Sequence, residues 1–105
     1  MANNNMSDFG VLNVLSNHID LNNYSGTITT GGTAQTIVNG DTLTRFFVIT
    51  NNSGTPMYLA IGQTATTSNG IYLGPNGGYE FPIVPRQYLS LYCATTGAAF
   101  AAYGV

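Results

Sequence analysis

The sequence predicts an all-β protein: a compact antiparallel β-sandwich, jelly-roll or immunoglobulin-like, with roughly 7–8 short strands and an N-terminal arm. Three observations lead to this prediction. Short runs rich in β-branched and aromatic residues recur along the chain, as at residues 46–50, 57–62 and 71–73. Segments rich in Gly, Asn, Ser and Pro separate these runs and are typical of turns. Within the runs, large apolar residues occupy alternate positions, so they can all face one interior.

Residues 1–25 are predicted to form the arm, and residues 26–105 the sandwich domain. Ser7 is suited to cap a short helix, but Gly10 and the β-branched valines weaken that pattern, so a helical and an extended arm both stay open. Apolar termini are usually ordered only where they dock, which favours contact with the arm's own domain or a neighbouring subunit. Four apolar arm residues are candidates for a partner interface: Phe9, Leu12, Leu15 and Ile19.

From residue 26 onwards the pattern is one of strands and turns. Two Thr-rich strands are expected at residues 26–30 and 33–38, followed by a turn centred on Asn39 and Gly40. Residues 45–82 are expected to form a β-meander that carries half of the core. Its inward-facing side chains would be Phe47, Ile49, Met57, Leu59, Ile61, Ile71 and Leu73.

The last third of the chain adds a tight turn, a crossover and two strands. The turn is expected at residues 75–78, where Asn and Gly tolerate a positive φ. Pro82 and Pro85 exclude a central strand and indicate a crossover between sheets, across which Glu80 and Arg86 are placed to pair. The final strands contain inward-facing Leu89, Leu91, Cys93, Phe100 and Ala102.

The composition excludes several classes of function. Charged residues make up 6% of the chain, against roughly a quarter in ordinary soluble domains. This low charge argues against disorder and gives little self-repulsion to keep a free monomer soluble, which favours a component of an assembly. Arg45 and Arg86 are too few to neutralise a phosphate backbone, so no nucleic-acid partner is expected. No apolar run approaches the length of a membrane span, so no membrane association is expected.

The residue types that carry chemistry are scarce. His18 is the single histidine, and the four acidic residues have no spacing that indicates a paired site. Cys93 is predicted to pack in the core as a small apolar thiol. A structural zinc site needs four Cys or His ligands, and no segment resembles a calcium-binding loop. We therefore expect no catalytic residue, no metal and no cofactor.

Tyrosines are the most informative side chains. If the apolar residues of their strands point inward, five tyrosines point outward and, together with Arg86, are candidates for a partner interface. The alternatives are that several lie on an inner face or under loops, or that they bind sugar, although Trp and an acid–amide cluster are missing. The five are Tyr58, Tyr72, Tyr88, Tyr92 and Tyr103.

The run from Arg45 to Gly78, RFFVITNNSGTPMYLAIGQTATTSNGIYLGPNGG, follows a definite order of strand edges and turns. A basic residue precedes an apolar strand, an Asn-Ser turn, an aromatic-aliphatic strand ending in Gly, a Thr/Ser/Ala loop, and Gly-Tyr-Glu before a proline-bearing crossover. This order resembles that of small structural proteins of tailed bacteriophages. The matching pieces here are Arg45-Phe46-Phe47-Val48-Ile49, Asn51-Asn52-Ser53, Tyr58-Leu59-Ala60-Ile61-Gly62, Gly70-Ile71-Tyr72-Leu73 and Gly78-Tyr79-Glu80-Phe81. The ending, Ala94-Thr95-Thr96-Gly97 and an Ala/Phe strand, is similar too.

The resemblance implies a non-enzymatic capsid decoration or cement protein on the virion surface, assembled in the host cytoplasm. It would bind the major capsid protein as a homo-oligomer, with a trimer favoured. Two alternatives stay open: a fibre or tail-associated module that recognises host glycan, and a head–tail connector or adaptor component.

Overall fold

The structure, a computed structural model, describes residues 20–105. This part of the chain contains nine strands and no helix, so the all-β prediction is confirmed for it. The arm residues Phe9, Leu12, Leu15 and Ile19 lie outside the described residues. In chain order the strands are β1 Asn22–Asn23, β2 Gly26–Thr27, β3 Gln35–Val38, β4 Phe47–Asn51, β5 Met57–Ile61, β6 Ile71–Leu73, β7 Gly78–Glu80, β8 Leu89–Cys93 and β9 Ala99–Gly104.

The strands form two antiparallel sheets that share one hydrophobic core. The first sheet has the order β1-β9-β4-β7, with β2 also paired to β9, and the second has the order β3-β8-β5-β6. The strand count exceeds the predicted seven or eight because the two-residue strands β1 and β2 both pair with β9. The first sheet therefore includes Asn22 and Asn23, which lie on the arm side of the predicted boundary.

The predicted meander at residues 45–82 is wrong in one respect. Strand β4 belongs to the first sheet, β5 and β6 to the second, and β7 to the first again. The chain thus crosses between the sheets twice within this segment. Alternation identifies the side chains that face the core, but both sheets face the same core, so alternation cannot assign a strand to either sheet.

The core contains the side chains that alternation predicted. Ile61 and Ile71 differ from the rest because they are only partly buried at its margin. Cys93 is a free, fully buried cysteine, as predicted. The largest fully buried side chains are Phe47, Ile28, Ile49, Met57, Leu59, Leu73, Leu89, Leu91, Val38, Asn51 and Cys93.

The turn at residues 75–78 and the crossover after β7 occur where Pro, Asn and Gly predicted them. Gly77 N donates to Gly74 O at 2.8 Å around Pro75 and Asn76, and Asn76 has a φ of 62°, which is the type II pattern of Pro followed by a residue with positive φ. The segment after β7 carries the chain from the first sheet to the second, so the predicted crossover is confirmed. Among residues 20–105, no helix could span a membrane.

Candidate interaction surfaces

Three tyrosines form a row across the outer face of the second sheet. Tyr92, Tyr58 and Tyr72 lie opposite one another on β8, β5 and β6. The ring centroids of Tyr58 and Tyr72 are 5.6 Å apart with an interplanar angle of 64°, and those of Tyr58 and Tyr92 are 6.3 Å apart at 55°. These are tilted and edge-to-face arrangements, which aromatic pairs favour. We call these three residues the tyrosine row.

The row is partly exposed and closely supported. Tyr72 retains 60% of its accessible surface, while Tyr58 and Tyr92 are half-buried. A Cβ on Gly70 would lie 2.7 Å from Tyr58 Cβ, and one on Gly74 would lie 3.2 Å from a ring carbon of Tyr72. The two glycines that flank β6 therefore leave the space in which these tyrosine side chains sit.

A loop closes the other half of the same face. Ser90 Oγ donates to Gln63 O at 2.7 Å and accepts from Ala65 N at 2.8 Å. Ala60, Ala65 and Ser90 are consequently buried although two of them lie on the outer face of the sheet. Residues 62–70, which we call the cover loop, thus leave the tyrosine row as the open part of this face.

Asn69 holds the cover loop in shape. Its Oδ1 accepts from Thr66 N at 2.8 Å, and its Nδ2 donates to Thr64 O at 2.9 Å. The loop therefore has its own internal hydrogen bonds in addition to its attachment to Ser90. Such bonds give a loop without regular strands a defined shape.

The other two predicted interface tyrosines lie elsewhere. Tyr103, 41% exposed, is on the outer face of the first sheet, opposite Asn23 and Val48 on the neighbouring strands. Tyr88 precedes β8 and is half-buried. The structure therefore brings together three of the five tyrosines and separates the remaining two from them and from each other.

Tyr88 borders two adjoining depressions, which we call together the Tyr88 cleft. Three segments converge at Tyr88, residues 39–41, 62–64 and 86–88, and residues 34–36 and Ser90 complete the lining. One depression, of about 360 Å³, is lined by Ala34, Gln35, Thr36, Asn39, Thr64, Tyr88 and Ser90. The second, of about 620 Å³, is lined by Gly40, Asp41, Gly62, Arg86, Gln87 and Tyr88.

Main-chain and side-chain bonds join the three segments of the cleft. Asp41 N donates to Arg86 O at 2.6 Å, and Gly62 N donates to Tyr88 O at 2.8 Å. Arg86 Nε donates to Asp41 Oδ1 at 3.1 Å, so Arg86 pairs with Asp41 and not with Glu80. Both groups of this ion pair are largely exposed, at 88% and 72%, and such pairs add little stability in water.

Asp41 lines the Tyr88 cleft, but it was not among the residues predicted for a partner interface. It has a φ of 57°, a left-handed conformation that Asp and Asn tolerate better than most residues. In the sequence, Asn39-Gly40-Asp41 predicted a turn. This turn lies beside residues 86–88 because β3 pairs with β8. The sequence therefore predicted the turn but not the residues that lie next to it.

The potential metal ligands among residues 20–105 are scattered. Between residues 20 and 105, no three side chains of His, Cys, Asp or Glu lie close enough together to hold a metal ion. Cys93 is enclosed in the core. The tyrosine row and the Tyr88 cleft are the candidate interaction surfaces on the described residues.

Comparison of the chain with protein-family models, curated proteins and solved structures finds no match. The class of protein is therefore defined here by fold and surface alone. The described residues form an all-β, β-sandwich-like domain with an aromatic outer face on one sheet and a polar cleft at one end.

Proposed function

We propose that this protein is a non-enzymatic virion structural protein, a decoration or cement protein that binds the major capsid protein shell and stabilises it. The observation that carries the proposal is the tyrosine row on the open part of the second sheet. Tyrosine is enriched at protein interfaces because its ring is buried while its hydroxyl keeps a hydrogen-bond partner. A jelly-roll or immunoglobulin-like arrangement of the strands is part of the same proposal.

The charge distribution supports the choice of this face. The four strands of the second sheet, QTIV, LSLYC, MYLAI and IYL, contain no charged residue. Covering this face requires no desolvation of a charged strand residue, and the cores of protein interfaces are depleted in charge. The first sheet, in contrast, carries Glu80 at its β7 edge.

Stabilisation of the shell would follow from mass action. A ligand that binds only the assembled shell stabilises it by its binding free energy, about 2.7 kcal/mol when its concentration is 100 times its Kd. A homo-oligomer, with a trimer favoured, would make several such contacts at once, so each of them can be weak. The proposed location is the capsid surface of the virion, reached after assembly in the host cytoplasm.

The experiment is co-sedimentation with capsids assembled from the major capsid protein encoded in the same genome. The double variant Tyr72→Ala/Tyr92→Ala should bind at least tenfold more weakly, because aromatic anchors contribute most to such interfaces. Tyr103→Ala is the matched control, since it removes an exposed tyrosine from the opposite sheet. Unchanged binding of the folded double variant would remove the tyrosine row from the interface.

The N-terminal arm enters the proposal from the sequence alone. Deleting residues 1–20 removes the apolar residues that are candidates for contact with a neighbouring subunit, but keeps β1, which begins at Asn22. We expect lower capsid occupancy with the circular dichroism of the sandwich retained. Full occupancy after this deletion would contradict the role of the arm.

A head–tail connector or adaptor is the structural alternative, and copy number separates it from a decoration protein. A decoration protein should approach the major capsid protein in abundance, whereas a connector is present at one vertex. Quantitative mass spectrometry of purified virions measures this ratio directly. A ratio far below that of the capsid protein would favour the connector.

A further inference from the structure

We propose that the Tyr88 cleft binds one unit of a neutral saccharide, a hexose or an N-acetylhexosamine within a larger glycan. This site is separate from the tyrosine row and goes beyond binding to a capsid. Its argument depends on the ring of Tyr88, the polar groups around that ring, the charge of the cleft and the bonds that hold its walls.

Tyr88 supplies the apolar surface. It lines both depressions and is half-buried, so part of this residue is open to the cleft. The strand that follows it pairs with β3 and β5. A pyranose unit presents a face of C–H groups that packs on an aromatic ring, and the phenol hydroxyl can bond a sugar hydroxyl at the rim. An aromatic side chain between two depressions can thus hold one ring and direct its neighbours into either side.

Amide and hydroxyl side chains line the same depressions as Tyr88. Asn39 lines one depression and Gln87 the other, and both are exposed. Each amide offers two N–H donors and a carbonyl acceptor, which match sugar hydroxyls that both donate and accept. Thr64 adds a hydroxyl from the cover loop. Gln35 has less capacity for a ligand, because its amide already accepts from Thr29 N and donates to Thr27 O.

The two charged residues of the cleft disfavour a charged ligand. Arg86 and Asp41 are the charged residues of its lining and they pair with each other. A phosphate or carboxylate ligand would be attracted by the Arg86 guanidinium but repelled by the Asp41 carboxylate. A hydroxyl pair of a neutral sugar can instead accept from the guanidinium and donate to the carboxylate at once, without separating charge.

Hydrogen bonds join the segments that line the cleft in the protein without ligand. The bonds from Asp41 N to Arg86 O and from Gly62 N to Tyr88 O fix the three segments relative to one another. Ser90 attaches the start of the cover loop at Gln63. A site with fixed walls requires little ordering on binding, which matters for a ligand as small as one sugar unit.

The experiment is an NMR titration of the ¹⁵N-labelled full chain with four probes: glucose, galactose, mannose and N-acetylglucosamine. With at least one of them, the amide signals of Gly40, Asp41, Gly62, Gln87 and Tyr88 should shift together, with a Kd of about 1 mM or weaker, as expected for a single unit. Shifts confined to other residues, or no shift with any probe up to about 50 mM, would overturn the proposal.

Variants connect the shifts to the cleft. Tyr88→Ala should weaken binding at least tenfold, while Tyr88→Phe keeps the ring and should stay within a few-fold of the native chain. Because Tyr88→Ala could disturb β8, Gln87→Ala and Asn39→Ala serve as second variants, each exposed and each expected to weaken binding severalfold. Native affinity in both would contradict the assigned contacts.

Capsid co-sedimentation keeps this proposal distinct from the proposed function. Tyr88→Ala should lose saccharide and keep the capsid, whereas Tyr72→Ala/Tyr92→Ala should do the reverse. If the native chain shows sugar-induced shifts but does not bind capsids, the saccharide proposal stands and the decoration proposal fails. If it binds capsids but shows no sugar-induced shifts, the decoration proposal stands and the saccharide proposal fails.

Discussion

The side-chain amide of Asn51 in β4 donates a hydrogen bond of 3.0 Å to the main-chain carbonyl of Leu73 in β6, and so joins the two sheets. Asn51 is completely buried. Its Nδ2 also donates to Thr55 O at 2.8 Å, and its Oδ1 accepts from Ser53 N at 2.9 Å and from Ser53 Oγ at 2.7 Å. The side chain thus organises the first crossover between the sheets and bonds polar groups there that are buried or partly buried.

Asn51→Ala should lower the free energy of unfolding by about 2–4 kcal/mol, because it removes a fully buried side chain and leaves the buried Leu73 O and part-buried groups of Ser53 and Thr55 without this partner. Urea denaturation measures the change. Asn52→Ala is the neighbouring control: Asn52 is exposed, and the change should stay within about 0.5 kcal/mol. Equal effects of the two variants would contradict the role of Asn51.

Asn51→Asp should make stability depend on pH. Complete burial and repulsion from two carbonyl oxygens favour the neutral acid, whereas the two bonds from Ser53 favour the carboxylate. We expect the first two effects to win and to raise the folded-state pKa of the new carboxyl above its unfolded value of about 3.9. The protonated acid can still donate one bond, so the variant should be most stable below about pH 4 and lose stability as pH rises through the folded-state pKa. Unfolding measured from pH 3 to 7 checks this against Asn51→Ala, in which the added dependence should be absent.

Ser90→Ala should release the cover loop. The change removes the bonds to Gln63 O and Ala65 N, at a cost of about 1–2 kcal/mol, and should raise the hydrogen-exchange rate of the Ala65 amide. Ser68→Ala is the control from the same loop, because Ser68 is exposed. An Ala65 amide that stays equally protected in both variants would show that the loop is held by other contacts.

Gly70→Ala should lower the stability of the protein by disturbing the packing beneath the tyrosine row. A Cβ there would lie 2.7 Å from Tyr58 Cβ and 3.0 Å from Leu59 N, so β5 must shift, at a cost of about 1–3 kcal/mol. Gly54→Ala is the matched control, because its Cβ would meet nothing within 4 Å, and it should be neutral or slightly stabilising. Thermal unfolding that ranks Gly54→Ala below Gly70→Ala would contradict the packing.

Gln35→Ala should leave main-chain groups at the β2 edge of the first sheet without hydrogen-bond partners. The Gln35 amide accepts from Thr29 N at 2.9 Å and donates to Thr27 O at 3.2 Å, beside β2 where another strand could pair. Its loss should cost about 0.5–1.5 kcal/mol and promote association that grows with concentration, measured by analytical ultracentrifugation.

Gln35→Glu separates the two effects expected at that edge. Glutamate keeps an acceptor for Thr29 N but loses the donor to Thr27 O, and its charge discourages pairing of another strand. This variant should lose stability without gaining association. Association of Gln35→Glu equal to that of Gln35→Ala would contradict protection of the edge by this side chain.

Much of the local structure could be predicted from residue order. The alternation in the strands identified Phe47, Ile49, Met57 and Leu59 as core residues and placed Cys93 among them. Asn76 was expected within a tight turn and has the positive φ that such a turn needs. These properties depend on a residue and its nearest neighbours, since a strand presents successive side chains to opposite faces whatever it pairs with.

Other features depend on which strands become neighbours, and only the tertiary structure decided them. The sequence offered five tyrosines of equal standing, and the pairing of β8, β5 and β6 placed three of them in one row. The same pairing buried Ser90 under the cover loop, and the β3–β8 pairing brought Asp41 to Arg86. Alternation along a strand is a local property, whereas the partner of each strand is chosen by contacts between residues far apart in the chain.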